Sequence, residues 1–379
     1  MKLGILTHAL HNNYGGILQA YALRTILQKK GHDVEVIRRD YTYRKYTIFW
    51  NFARFIKNVI RICTGHKKYK YISQKQWNIV SENTQYFIKK YINYNTSLIV
   101  TNLALKAYAT KSGFDGYVVG SDQVWRPKYV PCITNYFLDF AENKKVKRVA
   151  YAASFGVDEW LFSKKITPTL SSLIKKFDAV SVREKSGVDL CNRYLGVDAL
   201  HVLDPTMLLE KEDYIDLIIA ENEEVFEGNL FCYILDNTKK KDDVIDLIVQ
   251  STNLVSFTCM PKLNLSLENV EQDIDACVFP SVTRWLKSFM DANMIITDSF
   301  HGCVFSIIFN KPFWVIGNKS RGMARFDSLL SVFGLENRML DINNIVDIDW
   351  SLPIEWDRVN KIKKEWQIKS NKFLLEALK

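Results

Sequence analysis

The stretch Ile295–Gly317, IITDSFHGCVFSIIFNKPFWVIG, decides how the chain is read. Met294 to Ile296 is a short apolar run of the buried-strand type. Thr297, Asp298 and Ser299 follow as helix-cap residues, and a second apolar run, Cys303 to Phe309, opens a helix. Asn310, Lys311 and Pro312 end that helix, and Phe313 to Ile316 makes another strand. Strand, tight turn, helix and strand form the repeating unit of a parallel α/β sheet, in which ligands bind beyond the carboxyl ends of the strands. His301 falls where a helix N-terminus meets that edge, a place suited to a proton-transfer group beside an anion. The same residues also fit a simpler account, with Asp298 and Ser299 as plain caps and His301 as a satisfied, partly buried histidine. The balance moves with the next loop, where Lys319, Arg321 and Arg325 are interleaved with Gly317 and Gly322. Free backbone and positive charge then coincide near one sheet edge, which suits a phosphate or a carboxylate.

The pattern recurs upstream. Leu3 to Thr7 reads as a strand, and His8 to Gly16 is a polar turn. Apolar residues at 18, 22, 23, 26 and 27 then mark one face of a helix that Gly31 closes before the strand Val34 to Ile37. Asn13, Tyr14, Gly15 and Gly16 would let a ligand approach the backbone at that helix start, although they match neither the dinucleotide fingerprint nor the P-loop and also fit a merely tight turn. A strand within Phe114–Val119 ends in Gly120, Ser121 and Asp122. Arg148 to Ala153 ends in Ser154-Phe155-Gly156, and Ala179 to Val182 ends in Arg183-Glu184. Asp122 fits a base, a hydroxyl binder or a turn cap; Trp125 fits a platform for a sugar face; Arg183 fits a fork for a carboxylate or phosphate.

Leu230 to Ile234, Asn253 to Cys259 and Met294 to Ile296 are the expected strands of the second half, with helices near 240–250 and 281–291. The expected fold class is α/β, two Rossmann-like domains whose parallel sheets face a central cleft. The domains are expected over 1–195, on the acceptor side of the cleft, and 196–350, on the donor side, with a C-terminal helix over 351–379.

Composition sets the outer limits. The chain has 379 residues, 47% of them hydrophobic, enough for two cored domains. A formal net charge of +9 favours anionic partners. The seven cysteines are widely spaced with no C-x-x-C pair, so neither a zinc site nor a redox motif is indicated and reduced cytoplasmic thiols are expected. The N-terminus reads as a first strand and not as a signal peptide, and no apolar run approaches the roughly 20 residues that span a bilayer. A soluble or peripheral protein is expected.

Arg38 to Lys75 is the most unusual segment, with eleven Lys or Arg against the single acid Asp40 and many aromatic residues among them. Within it Phe52, Phe55, Ile56, Val59 and Ile60 make an apolar helical stripe, with Arg54, Lys57 and Arg61 off it. This combination fits a helix lying on an anionic membrane surface. It fits equally a surface helix docked on its own domain. Nucleic acid is disfavoured because no recognisable nucleic-acid module accompanies the charge.

Six motifs, in order and over nearly the whole chain, resemble the polysaccharide pyruvyl transferase family: NNYGGILQAYAL near the start, GSDQVW at 120–125, YAASFG at 151–156, SVRE at 181–184, LDPT at 203–206, and ITDSFHG with FNKPF at 296–313. The resemblance implies a glycosyltransferase B-like fold. It further implies transfer of the pyruvyl group of phosphoenolpyruvate, as a ketal, to a sugar of a cell-surface polysaccharide or of its lipid-linked precursor. That chemistry needs an acid, a base and a cationic cradle. His301 is then expected as acid or base, with Asp298 orienting its ring or capping the turn. Ser299 and the amides near Gly302, with Lys311, Arg321, Arg325 or Arg183, are expected to hold phosphate and carboxylate. Asp122, Ser121, Trp125 and the Asn13–Gly16 turn are expected on the acceptor side. No metal and no cofactor beyond the donor substrate is implied. The expected location is cytoplasmic, with peripheral contact at the inner face of the membrane through 38–75. Two other readings stay open: a nucleotide-sugar-dependent glycosyltransferase of the same fold, and a non-catalytic glycan- or anion-binding protein.

Overall fold

The computed structural model describes residues 1–40, 48–64, 71–94, 96–141, 145–317, 322–343, 345 and 348–379, without the side chains of 48–51, 53, 54 and 58. Lys319 and Arg321 therefore lie outside the described residues.

Among the described residues the first sheet has six strands: β1 (Lys2–Leu6), β2 (Asp33–Val36), β3 (Gly116–Val119), β4 (Lys147–Ala153), β5 (Ala179–Val182) and β6 (Leu200–His201). Their order is β2-β1-β3-β4-β5-β6, all parallel. One row of partners runs across it through Val36, Ile5, Val118, Val149 and Ala179. Short runs of branched and small residues suit a parallel sheet covered on both faces. β6 belongs to this sheet, so the sheet continues past residue 195, where the sequence reading changed domain.

The second sheet comprises β7 (Leu230–Tyr233), β8 (Ser256–Phe257), β9 (Met294–Thr297), β10 (Phe313–Ile316) and β11 (Met339–Leu340), in the order β11-β10-β9-β7-β8 and again parallel. β8 is much shorter than the strand expected over Asn253–Cys259. Asn253 adopts a left-handed φ of 55° and closes the helix Lys239–Thr252, which removes it from the strand.

Because the strands within each sheet are parallel, their carboxyl ends share one edge, and the loops that carry chemistry leave from that edge. The chain also crosses between the halves. Around the helix Gln74–Val80, the Val80 carbonyl accepts from Phe279 N (2.9 Å) and Asn83 Nδ2 donates to the Phe279 carbonyl (2.9 Å). The C-terminal helix Trp356–Ala377 returns to the first half: Gln367 Nε2 donates to the Met207 carbonyl (2.9 Å) and Leu203 N donates to Ser370 Oγ (3.0 Å).

Candidate functional site

A cavity of about 600 Å³ lies between the two sheet edges. Its walls come from the loops after strand ends. His8, His11 and Asn13 follow β1, Arg39 follows β2, and Asp122 and Gln123 follow β3; Leu235 follows β7 and Asp298 to His301 follow β9, with Arg325 beyond β10. Cations and two helix N-termini thus share a space with histidines, an arrangement that favours an anion.

His301 belongs to the helix Phe300–Ile308, whose N-cap Ser299 accepts a bond from Gly302 N at 3.4 Å. Gly302 has to be glycine, since a Cβ there would stand 2.2 Å from Thr297 Oγ1. The imidazole leaves the second half and wedges against the first. A Cβ on Gly15 would lie 2.0 Å from His301 Nδ1, so the helix Tyr14–Lys29 approaches the ring at its second residue. On the other side His301 Nε2 is 3.7 Å from Asp204 Oδ2, an ion-pair distance. Asp204 is held firmly: Oδ1 accepts from the Thr206 amide (3.0 Å) and hydroxyl (2.7 Å), and Oδ2 from Ser121 Oγ (3.0 Å) and Arg183 NH1 (2.7 Å). Burial alone would raise the Asp204 carboxyl, but His301 and Arg183 outweigh it and hold the group well below the usual carboxylate range.

Arg183 is buried, pairs also with Asp122 Oδ1 (3.4 Å), and lays its guanidinium 4.3 Å above the Phe300 ring. Expected as a fork for substrate, it is instead the hub that neutralises Asp122 and Asp204 beneath the cavity. Asp122 has φ +72°, an unusual conformation for a non-glycine residue and one that collects at functional sites. Burial raises its pKa, but Arg183, followed by His8 and His301, pulls it to about 2. A carboxylate so acidic is a poor base and acts as fixed negative charge.

Other expected residues take different roles. Asp298 accepts from the Leu235 amide (2.7 Å), the Asp236 amide (3.1 Å) and Lys241 Nζ (2.6 Å), so it ties the ends of β7 and β9 together, and the carboxylate set against His301 is Asp204. Ser121 is buried on Asp204. Trp125 is no sugar platform: it is fully buried, stacks on Phe137 (5.2 Å) and donates its indole N–H to the Tyr136 carbonyl (3.0 Å). Lys311 precedes β10 and so sits at the opposite, amino edge of the sheet, away from the cavity. Asn13 caps its helix through Gly16 N (3.1 Å), and Tyr14 stacks on Trp285 (5.4 Å) and donates to the Pro280 carbonyl (2.9 Å), joining the halves.

Arg325 does reach the cavity. Burial and then the charge of Arg183 lower its pKa to about 10, which leaves it cationic at neutral pH. Three residues before it there is a close approach: Gly322 has φ +97°, and a Cβ there would be 1.8 Å from the Gly156 carbonyl oxygen. Residues not singled out in the sequence complete the walls. Arg39 is buried, with NH1 donating to the Val100 carbonyl (2.6 Å) and NH2 to Asn102 Oδ1 (2.8 Å). His8 has a buried Nε2 with no hydrogen-bond partner among the described residues, and burial lowers its pKa against the opposing pull of Asp122. Lys128 adds a third cation. No group of three or more metal-ligating side chains occurs among the described residues.

Two parallel sheets facing across a cleft, entered by helix N-termini from both sides, define a glycosyltransferase B-type fold. Among solved structures, UDP-GlcNAc 2-epimerase from Neisseria meningitidis bound to UDP-GlcNAc superposes with a TM-score of 0.52 at 11% identity, covering 100% of this chain and 99% of that one. A mutant of Staphylococcus aureus TarM, in complex with fondaparinux, α-GlcNAc-glycerol and UDP, gives 0.47 at 12% identity, covering 99% and 97%. Acinetobacter baumannii MurG gives 0.41 at 10%, covering 98% and 94%. No curated protein matches the sequence. The sequence model described as "Polysaccharide pyruvyl transferase" matches residues 13–320, and the chain belongs to that family of transferases.

Proposed function

We propose that the protein transfers the pyruvyl group of phosphoenolpyruvate to a sugar of a surface polysaccharide or its lipid-linked precursor, forming a ketal and releasing phosphate. The observation that carries this is the buried His301–Asp204 pair, whose histidine lines a cavity also lined by Arg325, Arg39 and Lys128. His301, set against Asp204, donates a proton to the methylene carbon of the donor. The adjacent carbon becomes electrophilic, and a sugar hydroxyl attacks it. His8, whose burial disfavours its charged form, accepts the hydroxyl proton. Phosphate leaves with the bridging electron pair, and a second hydroxyl closes the ketal as its proton passes to His301, which restores the acid. Arg325, the other cavity cations and the first-turn amides after Asn13 and Ser299 hold the donor's phosphate and carboxylate.

Thermal unfolding tests the donor class. Phosphoenolpyruvate at about 100 times its Kd should stabilise the protein by about 2.7 kcal/mol, and Arg325→Gln should abolish that protection. Protection by a nucleoside diphosphate and none by phosphoenolpyruvate would instead make the protein a sugar transferase.

A further inference from the structure

The helix Ile48–Cys63 presents an apolar face to solvent. Phe52 is 61% exposed, Phe55 64% and Ile60 57%, and Ile56 and Val59 beside them are exposed as well. At 100° per residue these five positions fall within an arc of about 140°. Lys57 and Arg61 project from the opposite side of the helix. The docking of this stripe on its own domain, one of the two readings open in the sequence, is therefore not what the fold shows.

We propose that this helix is a docking foot for an anionic lipid bilayer, with the stripe of Phe52, Phe55, Ile56, Val59 and Ile60 entering the headgroup boundary. Charge complementarity selects the occupant. Between Tyr41 and Lys75 the sequence holds no Asp or Glu, while Arg44 and Lys45 precede the helix and Lys67, Lys68 and Lys70 follow it. A second copy of the chain would bring two such basic segments together with no acid to pair them. Anionic headgroups supply the missing countercharge, and the acyl region receives the stripe. A nucleic acid would want the basic side foremost and leave the apolar side wet.

The roots of the insertion give the docking a consequence. Before the helix, Asp40 pairs with His11 Nε2 at 3.1 Å; after it, Trp77 stands edge-on to the same imidazole at 5.9 Å, and His11 lines the cavity. The foot thus leaves and re-enters the fold at the rim of the cleft, which keeps that rim near the surface it binds. The proposal does not depend on which donor the cavity takes. Among the described residues no helix is long and apolar enough to cross a membrane, so the contact is interfacial.

The test is flotation of the full chain with vesicles of phosphatidylcholine alone and of phosphatidylcholine mixed with phosphatidylglycerol, at low and high salt. Binding is expected on the phosphatidylglycerol vesicles alone and should weaken with salt. Changing Phe52, Phe55 and Ile60 together to Ser should abolish it. Lys57→Gln and Arg61→Gln should each weaken it about fivefold. All these positions are on a surface helix, so thermal unfolding should match the wild type and show that the variants are folded. No binding to the anionic vesicles, equal binding to the neutral ones, or full binding by the triple Ser variant would each overturn the proposal. So would a dimer in size-exclusion chromatography that the triple Ser variant converts to monomer, since the stripe would then be a self-interface.

Discussion

Replacing Gly15 by Ala should disable the site while leaving the fold standing. The new Cβ would begin 2.0 Å from His301 Nδ1, and ordinary van der Waals contact starts at 3.4 Å, so ring and helix must part by about 1.4 Å. A misplacement of about 1 Å can cost a rate on the order of 100-fold, and that is the loss expected in acceptor-dependent phosphate release. Overpacking costs about 1–3 kcal/mol, of which about 1 kcal/mol is returned because Ala is the better helix former. The net destabilisation in thermal unfolding should be no more than about 2 kcal/mol. The neighbouring glycine is the control. A Cβ on Gly16 would come no nearer than 3.1 Å to any atom, meeting the Asn13 side chain there, so Gly16→Ala should keep most of the activity and much of the stability. If Gly15→Ala turns over normally while Gly16→Ala fails, His301 is not positioned by this helix and the description of the site is wrong.

Three further outcomes follow from the packing. Asp204→Asn leaves Arg183 short of its best partner in a buried network and should cost about 3–5 kcal/mol in denaturant unfolding; an unchanged midpoint would show that Asp122 suffices. Trp125→Ala should lower stability by about 3–5 kcal/mol as a core cavity, with acceptor KM unchanged in whatever folded fraction remains; a raised KM at full stability would restore the sugar-stacking role. His201, whose Nε2 donates to the Arg183 carbonyl (3.0 Å), has its pKa lowered to about 4, chiefly by burial. A histidine depressed on folding stabilises above its unfolded pKa and loses that contribution as pH falls. About 3 kcal/mol should therefore disappear between roughly pH 6.5 and pH 4, and His201→Gln should flatten the midpoint curve in that window. The same slope in both proteins would refute the assignment.

Much of the fold was legible because each buried strand is a short apolar run bounded by turn residues. Ala179–Val182 and Phe313–Ile316 begin and end where the runs do. His301 could be placed beside a sheet edge for the same reason. Its partner could not: Asp204 stands in the LDPT motif but nothing in the sequence gives it a role, and only the closing of the two halves sets it against a histidine almost a hundred residues later. One misassignment and one omission had signals within reach. Lys311 comes before its strand, which puts it at the amino edge, and Arg39 comes directly after β2, which puts it at the carboxyl edge despite the basic run around it. Trp125 had no such signal, since a tryptophan after a strand looks the same whether it faces a ligand or the core.

The most direct test of the account is phosphate release from phosphoenolpyruvate by the purified protein, with and without a panel of galactosides, glucosides and mannosamine derivatives, beside His301→Ala. The account predicts release that requires one of these acceptors and disappears in the variant. Acceptor-dependent release that persists in His301→Ala would contradict the role given to the His301–Asp204 pair, and no release with any acceptor, together with thermal protection by a nucleoside diphosphate alone, would contradict the donor.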